Sequence, residues 1–153
     1  MKKIIVTILF GALMLFSACS GGGATNVDTQ KLADDLMNNI TYADQLAEVD
    51  SAMTQSLFGY QEDDVTASVH YASSGATAEE IAVFECKDAE ATGRVKECVD
   101  KHLQEYKDGF SDYLPTEVPK LEKAVIVTSG NYVVYSVSDD DSKAKEIIDG
   151  YLK

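Results

Sequence analysis

The chain has 153 residues and an apolar content typical of a globular protein, enough for one domain with a proper core and too little for two comfortable ones. Thirteen basic against twenty-six acidic side chains give a net charge of −13, which argues against nucleic acid as a partner and against docking of the domain itself on anionic lipid. Arg94 is the only arginine, so a phosphate or carboxylate clamp built from several guanidinium groups is excluded.

Lys2 and Lys3 open the chain as a positive n-region, and residues 4–16 are apolar except at Thr7 and Gly11. That is the length of a signal-peptide core and falls short of the roughly 20 apolar residues a spanning helix needs. Phe16-Ser17-Ala18-Cys19 follows, small residues and then a cysteine. The pattern resembles the lipobox of bacterial lipoproteins, with Phe16 where leucine is commoner. The resemblance implies a signal peptide over 1–18, cleavage before Cys19, and a diacylglycerol on the Cys19 sulfur that ties the protein to the membrane. Loss of Lys2 and Lys3 leaves eleven basic against twenty-six acidic side chains, a balance near −15. Residues 19–27 then form a tether, small, polar and glycine-rich. From Cys19 to Asp28 it reaches at most about 30 Å, at roughly 3.3 Å per residue. The other reading of these residues is a soluble secreted protein in which Cys19 is incidental.

Residues 28–153 read as a single domain. Asp28 or Thr29 caps a helix carrying Leu32, Leu36 and Ile40 at fourfold spacing. A second helix fits Asp50 to Phe58, capped by Asp50 or Ser51 and stopped by Gly59. The period then changes. Val65, Ala67, Val69 and Tyr71 alternate with Thr66, Ser68 and His70, as in a half-buried strand. After a loop over 73–78, Ile81-Ala82-Val83-Phe84 is apolar on both faces and reads as an inner strand.

Asp88 caps the longest helix, predicted over Ala89 to Ser111 with Val95, Val99, His102 or Leu103, Tyr106 and Phe110 as its apolar stripe. Pro115 ends that region, and Thr116 to Leu121 form one more turn. Strands over Ala124–Thr128 and Tyr132–Val137 are joined across Ser129-Gly130-Asn131, a hairpin signal because glycine and asparagine permit the positive φ of a tight turn. Ser138-Asp139-Asp140-Asp141 feeds a last helix with Ala144, Ile147, Ile148, Tyr151 and Leu152. The order α-α-β-β-α-β-β-α predicts an α+β domain: an antiparallel four-stranded sheet with helices mainly on one face.

Five stretches, taken in order, carry a further resemblance: Leu57-Phe58-Gly59 followed by Asp64-Val65, Glu79-Glu80-Ile81-Ala82-Val83, Tyr113-Leu114-Pro115, Val125 to Val127, and Gly130-Asn131-Tyr132-Val133. Together they resemble the bacterial domain of unknown function 4358 family, over roughly Leu32 to Leu152. These are turn and strand residues, and the resemblance implies no activity, substrate or catalytic residue. The family's usual Gram-positive hosts and frequent lipoprotein signals imply a place on the outer face of the cytoplasmic membrane.

Candidate chemistry is sparse. Cys98 and His102 are four apart on the long helix, and Cys86 with His70 completes a Cys₂His₂ set for zinc. The tight Cys-x₂-Cys spacing of such sites is missing, and His70 is expected to face away from the helices, so no metal is assigned. A Cys86–Cys98 disulfide is disfavoured, because Cys98 lies about 13 Å along a helix that turns back from the strand end, at roughly 1.5 Å per residue. Asp139-Asp140-Asp141 reads as a helix N-terminus rather than a calcium loop, while Glu62-Asp63-Asp64 and Glu79-Glu80 read as solvated charges.

No nucleophile elbow, phosphate loop or dinucleotide fingerprint is present, and no cofactor is expected. The expected function is therefore non-catalytic: an accessory or binding module at the cell envelope, meeting a protein or peptide through an open sheet face around Thr66, Ser68 and His70. The alternatives are a metal-binding or redox module using the cysteines and histidines, and an envelope hydrolase with carboxylates gathered in a cleft.

Overall fold

A computed structural model describes residues 26–153, and the expected signal peptide over 1–18, Cys19 and most of the expected tether lie outside them. Helix α1 spans Thr29–Asn39, with the Asp28 carboxylate accepting from Lys31 N–H. Helix α2 spans Ser51–Phe58, capped by Asp50 and closed by Gly59 at φ 74°. Strands β2 (Val65–Ala72) and β3 (Glu80–Cys86) follow, then the long helix α3 (Ala89–Tyr113), capped by Asp88. A 3-10 turn at Pro115–Glu117 leads into the short helix α4 (Val118–Glu122). The hairpin β4 (Val125–Ser129) and β5 (Tyr132–Val137) turns on Gly130 at φ 55°, as its sequence signal requires. Helix α5 (Asp141–Leu152) closes the domain, and Asp140 caps it by accepting from Lys143 N–H.

The fold is α+β with an antiparallel sheet, but the sheet has five strands rather than four. The added strand is β1, Ala47–Glu48, which pairs with Ala72 and Tyr71 of β2. Two residues are too few to show a period. The strand order is β1-β2-β3-β5-β4, every pair antiparallel.

Helices cover both faces of this sheet, which corrects the expectation of one open face. Alternation on the two central strands divides the core. Ile81 and Val83 of β3 with Val134 of β5 pack under α1 and α5, against Leu32, Leu36 and Ile148. Their neighbours Ala82, Phe84, Val133 and Tyr135 point the other way, against Phe58 of α2, Val95 and Val99 of α3 and Leu121 of α4. Both faces of β3 and β5 are apolar because both are buried.

Strand β2 breaks the simple alternation read from its sequence. A register shift between Val65 and Ala67 marks a β-bulge. An extra residue in one strand inverts the facing of what lies beyond it. Val65 therefore packs on the α3 side while Val69 and Tyr71 pack on the α1 side. His70 consequently faces α2 and α3, not away from the helices.

Candidate functional site

The centre of the α2–α3 layer is polar. Glu80, the first residue of β3, has a fully buried side chain beside two histidines. His70 Nε2 lies 2.7 Å from Glu80 Oε1, and His102 Nε2 lies 2.9 Å from Glu80 Oε2. The topology explains the meeting. His70 and Ala82 are register partners on β2 and β3, so His70 and Glu80 project on the same side two positions apart. His102 descends from the apolar stripe of α3.

An ionised carboxylate only accepts hydrogen bonds, so both rings donate Nε2–H to it. Burial opposes ionisation of Glu80, but the hydrogen bonds from His102 and His70 outweigh it and hold the carboxyl below its ordinary range. Tyr135 Oη, buried without a hydrogen-bond partner, faces the same charge; burial and the Glu80 carboxylate hold its hydroxyl well above the usual tyrosine range.

The outer nitrogen of His70, Nδ1, lies 3.1 Å from Thr54 Oγ1, which is itself 2.9 Å from the Asp50 carbonyl. A hydroxyl has one proton. Given to the Asp50 carbonyl, it leaves Oγ1 to accept Nδ1–H, and His70 is an imidazolium against the Glu80 carboxylate. Given to Nδ1, it leaves His70 neutral. The His102 ring is stacked on Phe58 at 4.0 Å between centroids and tilted against Tyr106 at 4.3 Å.

Above this cluster the surface opens into a groove of about 450 Å³, with His102 in its wall. Leu57 of α2 and Tyr106, Gly109, Phe110 and Tyr113 of α3 make the rest, with Glu105 on the rim. Three large apolar side chains are exposed among the described residues, Met53 at 51%, Leu57 at 39% and Tyr113 at 72%. Two of them line this groove, and Met53 stands one turn before Leu57 on α2. Scattered exposed apolar residues are ordinary, whereas a gathered set marks a contact surface.

The residues singled out in the sequence are divided by the fold. Thr66 is exposed and Ser68 half-buried, and both line a polar hollow with Ser51, Gln55 and Tyr60, while His70 is sealed beneath α2. His70 and His102 do meet, but around Glu80 and not with the cysteines. Cys86 and Cys98 are free thiols, one buried in the α3 layer and one beside Arg94 in a separate surface hollow. Burial pushes the Cys86 thiol up to about 11 and that of Cys98 up as well, opposite to what a nucleophilic or redox-active cysteine needs. Among the described residues no group of three or more His, Cys, Asp or Glu side chains is arranged to hold a metal ion.

The acidic runs read as solvated need correction at three positions. Glu80 is the hub just described. Glu79 is buried too, accepting from the backbone N–H groups of Ala43 and Asp44 and lying 3.2 Å from Lys120 Nζ. Asp64 is buried at 3% exposure and takes a two-pronged hydrogen bond from Arg94, at 2.8 and 2.7 Å. Glu80 had a visible signal, since it stands in period two with Ala82 and Phe84. Leu57 and Tyr113 gave none, because which apolar residues a neighbouring element leaves uncovered is decided only by packing.

The family model described as Domain of unknown function (DUF4358) matches residues 38–138, a span that contains the cluster and the groove. No curated protein and no solved structure matches the chain.

Proposed function

The chain belongs to the DUF4358 family, and on that premise we propose that it is a lipid-anchored extracytoplasmic binding domain that holds a partner in the groove between α2 and α3. One observation carries the binding reading: two of the three exposed large apolar side chains of the described residues, Leu57 and Tyr113, line this groove, beside a buried carboxylate held by two histidines. The Glu80 carboxylate is sealed and occupied by its two histidines, of which only His102 reaches the groove wall, an arrangement that stiffens the groove floor.

The anchor reading rests on Lys2, Lys3, the apolar run and Ser17-Ala18-Cys19. Among the described residues no helix is long and apolar enough to cross a membrane. Val27 is where the chain is pinned: its side chain is buried with α1, and its N–H donates to Tyr132 Oη at 3.0 Å. A lipid at Cys19 would therefore hold the domain by its α1–α5 layer, within about 30 Å of the bilayer. The groove belongs to the opposite layer and would face outward.

Two measurements test this reading. Cells fed an alkyne-bearing palmitate should label the full chain and not Cys19→Ala; equal labelling of both removes the anchor. A photo-crosslinking residue at position 109 in intact cells should give a discrete heavier adduct, and one at Lys145 on the exposed side of α5 should not. Adducts from neither position remove the groove.

A further inference from the structure

Resting on the groove reading above, we infer that the occupant is a cationic amphipathic helix, one that lays an aliphatic or aromatic stripe between α2 and α3 and carries lysine or arginine along its edges. Shape supplies the first part of the argument. The α3 wall runs from His102 to Tyr113, about 16 Å at roughly 1.5 Å per residue. That length accepts anchors at i, i+4 and i+7 of a docked helix, and a volume of 450 Å³ holds about two or three large side chains. Gly109 leaves the wall bare at its middle, where an added Cβ would meet no atom within 4 Å.

Charge supplies the second part. Helix α3 is 25 residues long and has no basic residue in its last turn. The negative end of its dipole is therefore unopposed at the groove, in a place where lysine or arginine is the usual complement. Asp108 and Asp112 add to it, and Glu105 stands on the rim. Among the described residues Lys107, on α3 beside Tyr106, has no ion-pair partner and offsets one of these carboxylates. Lys101 pairs with the rim carboxylate of Glu105 at 3.5 Å, so the acidity left at this end is that of Asp108, Asp112 and the helix terminus, and Lys120 is held away from it by Glu79 and Glu117. Helix α2, the other wall, carries no charged side chain over Ser51–Phe58. An apolar floor whose acidic end carries more carboxylates than lysines, at a helix C-terminus with no basic residue in its last turn, selects a basic partner, and it disfavours both anionic lipid and a second copy of this acidic chain.

The probes are two synthetic fourteen-residue helices with the same leucine stripe, one edged with lysine and one with glutamate. Each is titrated by fluorescence anisotropy against the full chain in phosphatidylcholine nanodiscs, with empty nanodiscs subtracted. The lysine peptide should bind at least tenfold more tightly than the glutamate peptide, and its affinity should fall as salt is raised from 50 to 500 mM. Gly109→Trp, which fills the groove, should abolish binding; Gly93→Trp, on the same helix and equally free of neighbours within 4 Å, should leave it unchanged.

Preference for the glutamate peptide overturns the cationic partner and leaves the groove standing. Lysine-peptide binding unchanged by Gly109→Trp places it elsewhere on the acidic surface and overturns the inference. A dimer of the chain alone that Gly109→Trp dissociates names a second copy as occupant, and absence of binding by either peptide removes the helical occupant while the crosslinking result still judges the groove.

Discussion

His70 and His102 come from different elements, β2 and α3, and their Nε2 atoms converge on one carboxylate, 2.7 and 2.9 Å from Glu80. The two histidines of the chain are thereby joined through a single acidic group that is fully sealed from solvent. The cluster ties the bulged strand β2 and the long helix α3 to the central strand β3.

Removing the hub should cost more than trimming it. Glu80→Ala leaves two buried N–H donors without an acceptor and a cavity beside them, at about 3–5 kcal/mol. Glu80→Gln keeps one acceptor, and one ring can change tautomer to meet the amide N–H, so about 1–2 kcal/mol is expected. Urea unfolding followed by far-UV circular dichroism measures both, since the chain has no tryptophan to report by fluorescence. Equal stability of the glutamine and alanine variants would contradict this role for the carboxylate.

Acid should unfold the domain through the same groups. Glu80 and Glu79 are both held below the ordinary carboxyl value of 4.5, Glu80 by the two histidines against its burial, Glu79 by backbone N–H groups, Thr77 and Lys120 against its own. A depressed carboxyl contributes stability that is complete above its unfolded value and is lost as pH falls through its folded value. Stability should therefore be level down to about pH 5 and fall below it. Asp64 behaves likewise, its carboxyl held far below the usual range by hydrogen bonds from Arg94 and Lys87. Arg94→Lys replaces a two-pronged donor by a point charge, so its acid midpoint should rise relative to the parent chain. An unmoved midpoint would mean that Asp64 does not take part in the acid transition.

The sequence carries the long elements because they repeat their signal. Helix α3 repeats its stripe from Val95 to Phe110, and the β4–β5 hairpin announces its turn at Gly130. The features it hides are those decided by a single residue or by packing. One extra residue near Thr66 reversed the facing of His70, and with it the reading of the whole sheet face. Strand β1 is too short to alternate. Glu79 and Glu80 look alike in the chain, yet one is fastened to backbone N–H groups of the segment after α1 and the other to two rings. Composition sees two charges and not their partners.

Glycine substitutions at two helical positions should have opposite signs. Gly59 closes α2 at φ 74°, a conformation costly for any residue with a Cβ, so Gly59→Ala should destabilise by about 1 kcal/mol although nothing crowds the site. Gly93 lies within α3 with helical backbone and open space around its Cβ position, so Gly93→Ala should stabilise by up to about 1 kcal/mol. Thermal unfolding of the two variants beside the parent decides: an unchanged or stabilised Gly59→Ala would show that the left-handed cap is not a constraint, and a destabilised Gly93→Ala would contradict the open helical site.

The thiols offer a check on the layering of the α3 face. Cys86 is at 2% exposure and its thiol is pushed up to about 11, first by burial and then by the carboxylates of Asp64, Asp88 and Glu85, against a hydrogen bond with Thr92. Cys98 is half-buried beside Arg94 and raised less, by burial and by Glu97. The thiolate is the reactive form, so at pH 8 both should react with an aromatic disulfide reagent more slowly than a free thiol, Cys98 first and Cys86 only as fast as the domain opens. Destabilising the hub with Glu80→Ala should then speed the Cys86 phase specifically, because its protection comes from the same packed layer as the Glu80 cluster. Two equal fast phases in the native protein would place both cysteines at the surface and contradict the packing of α3 on β3.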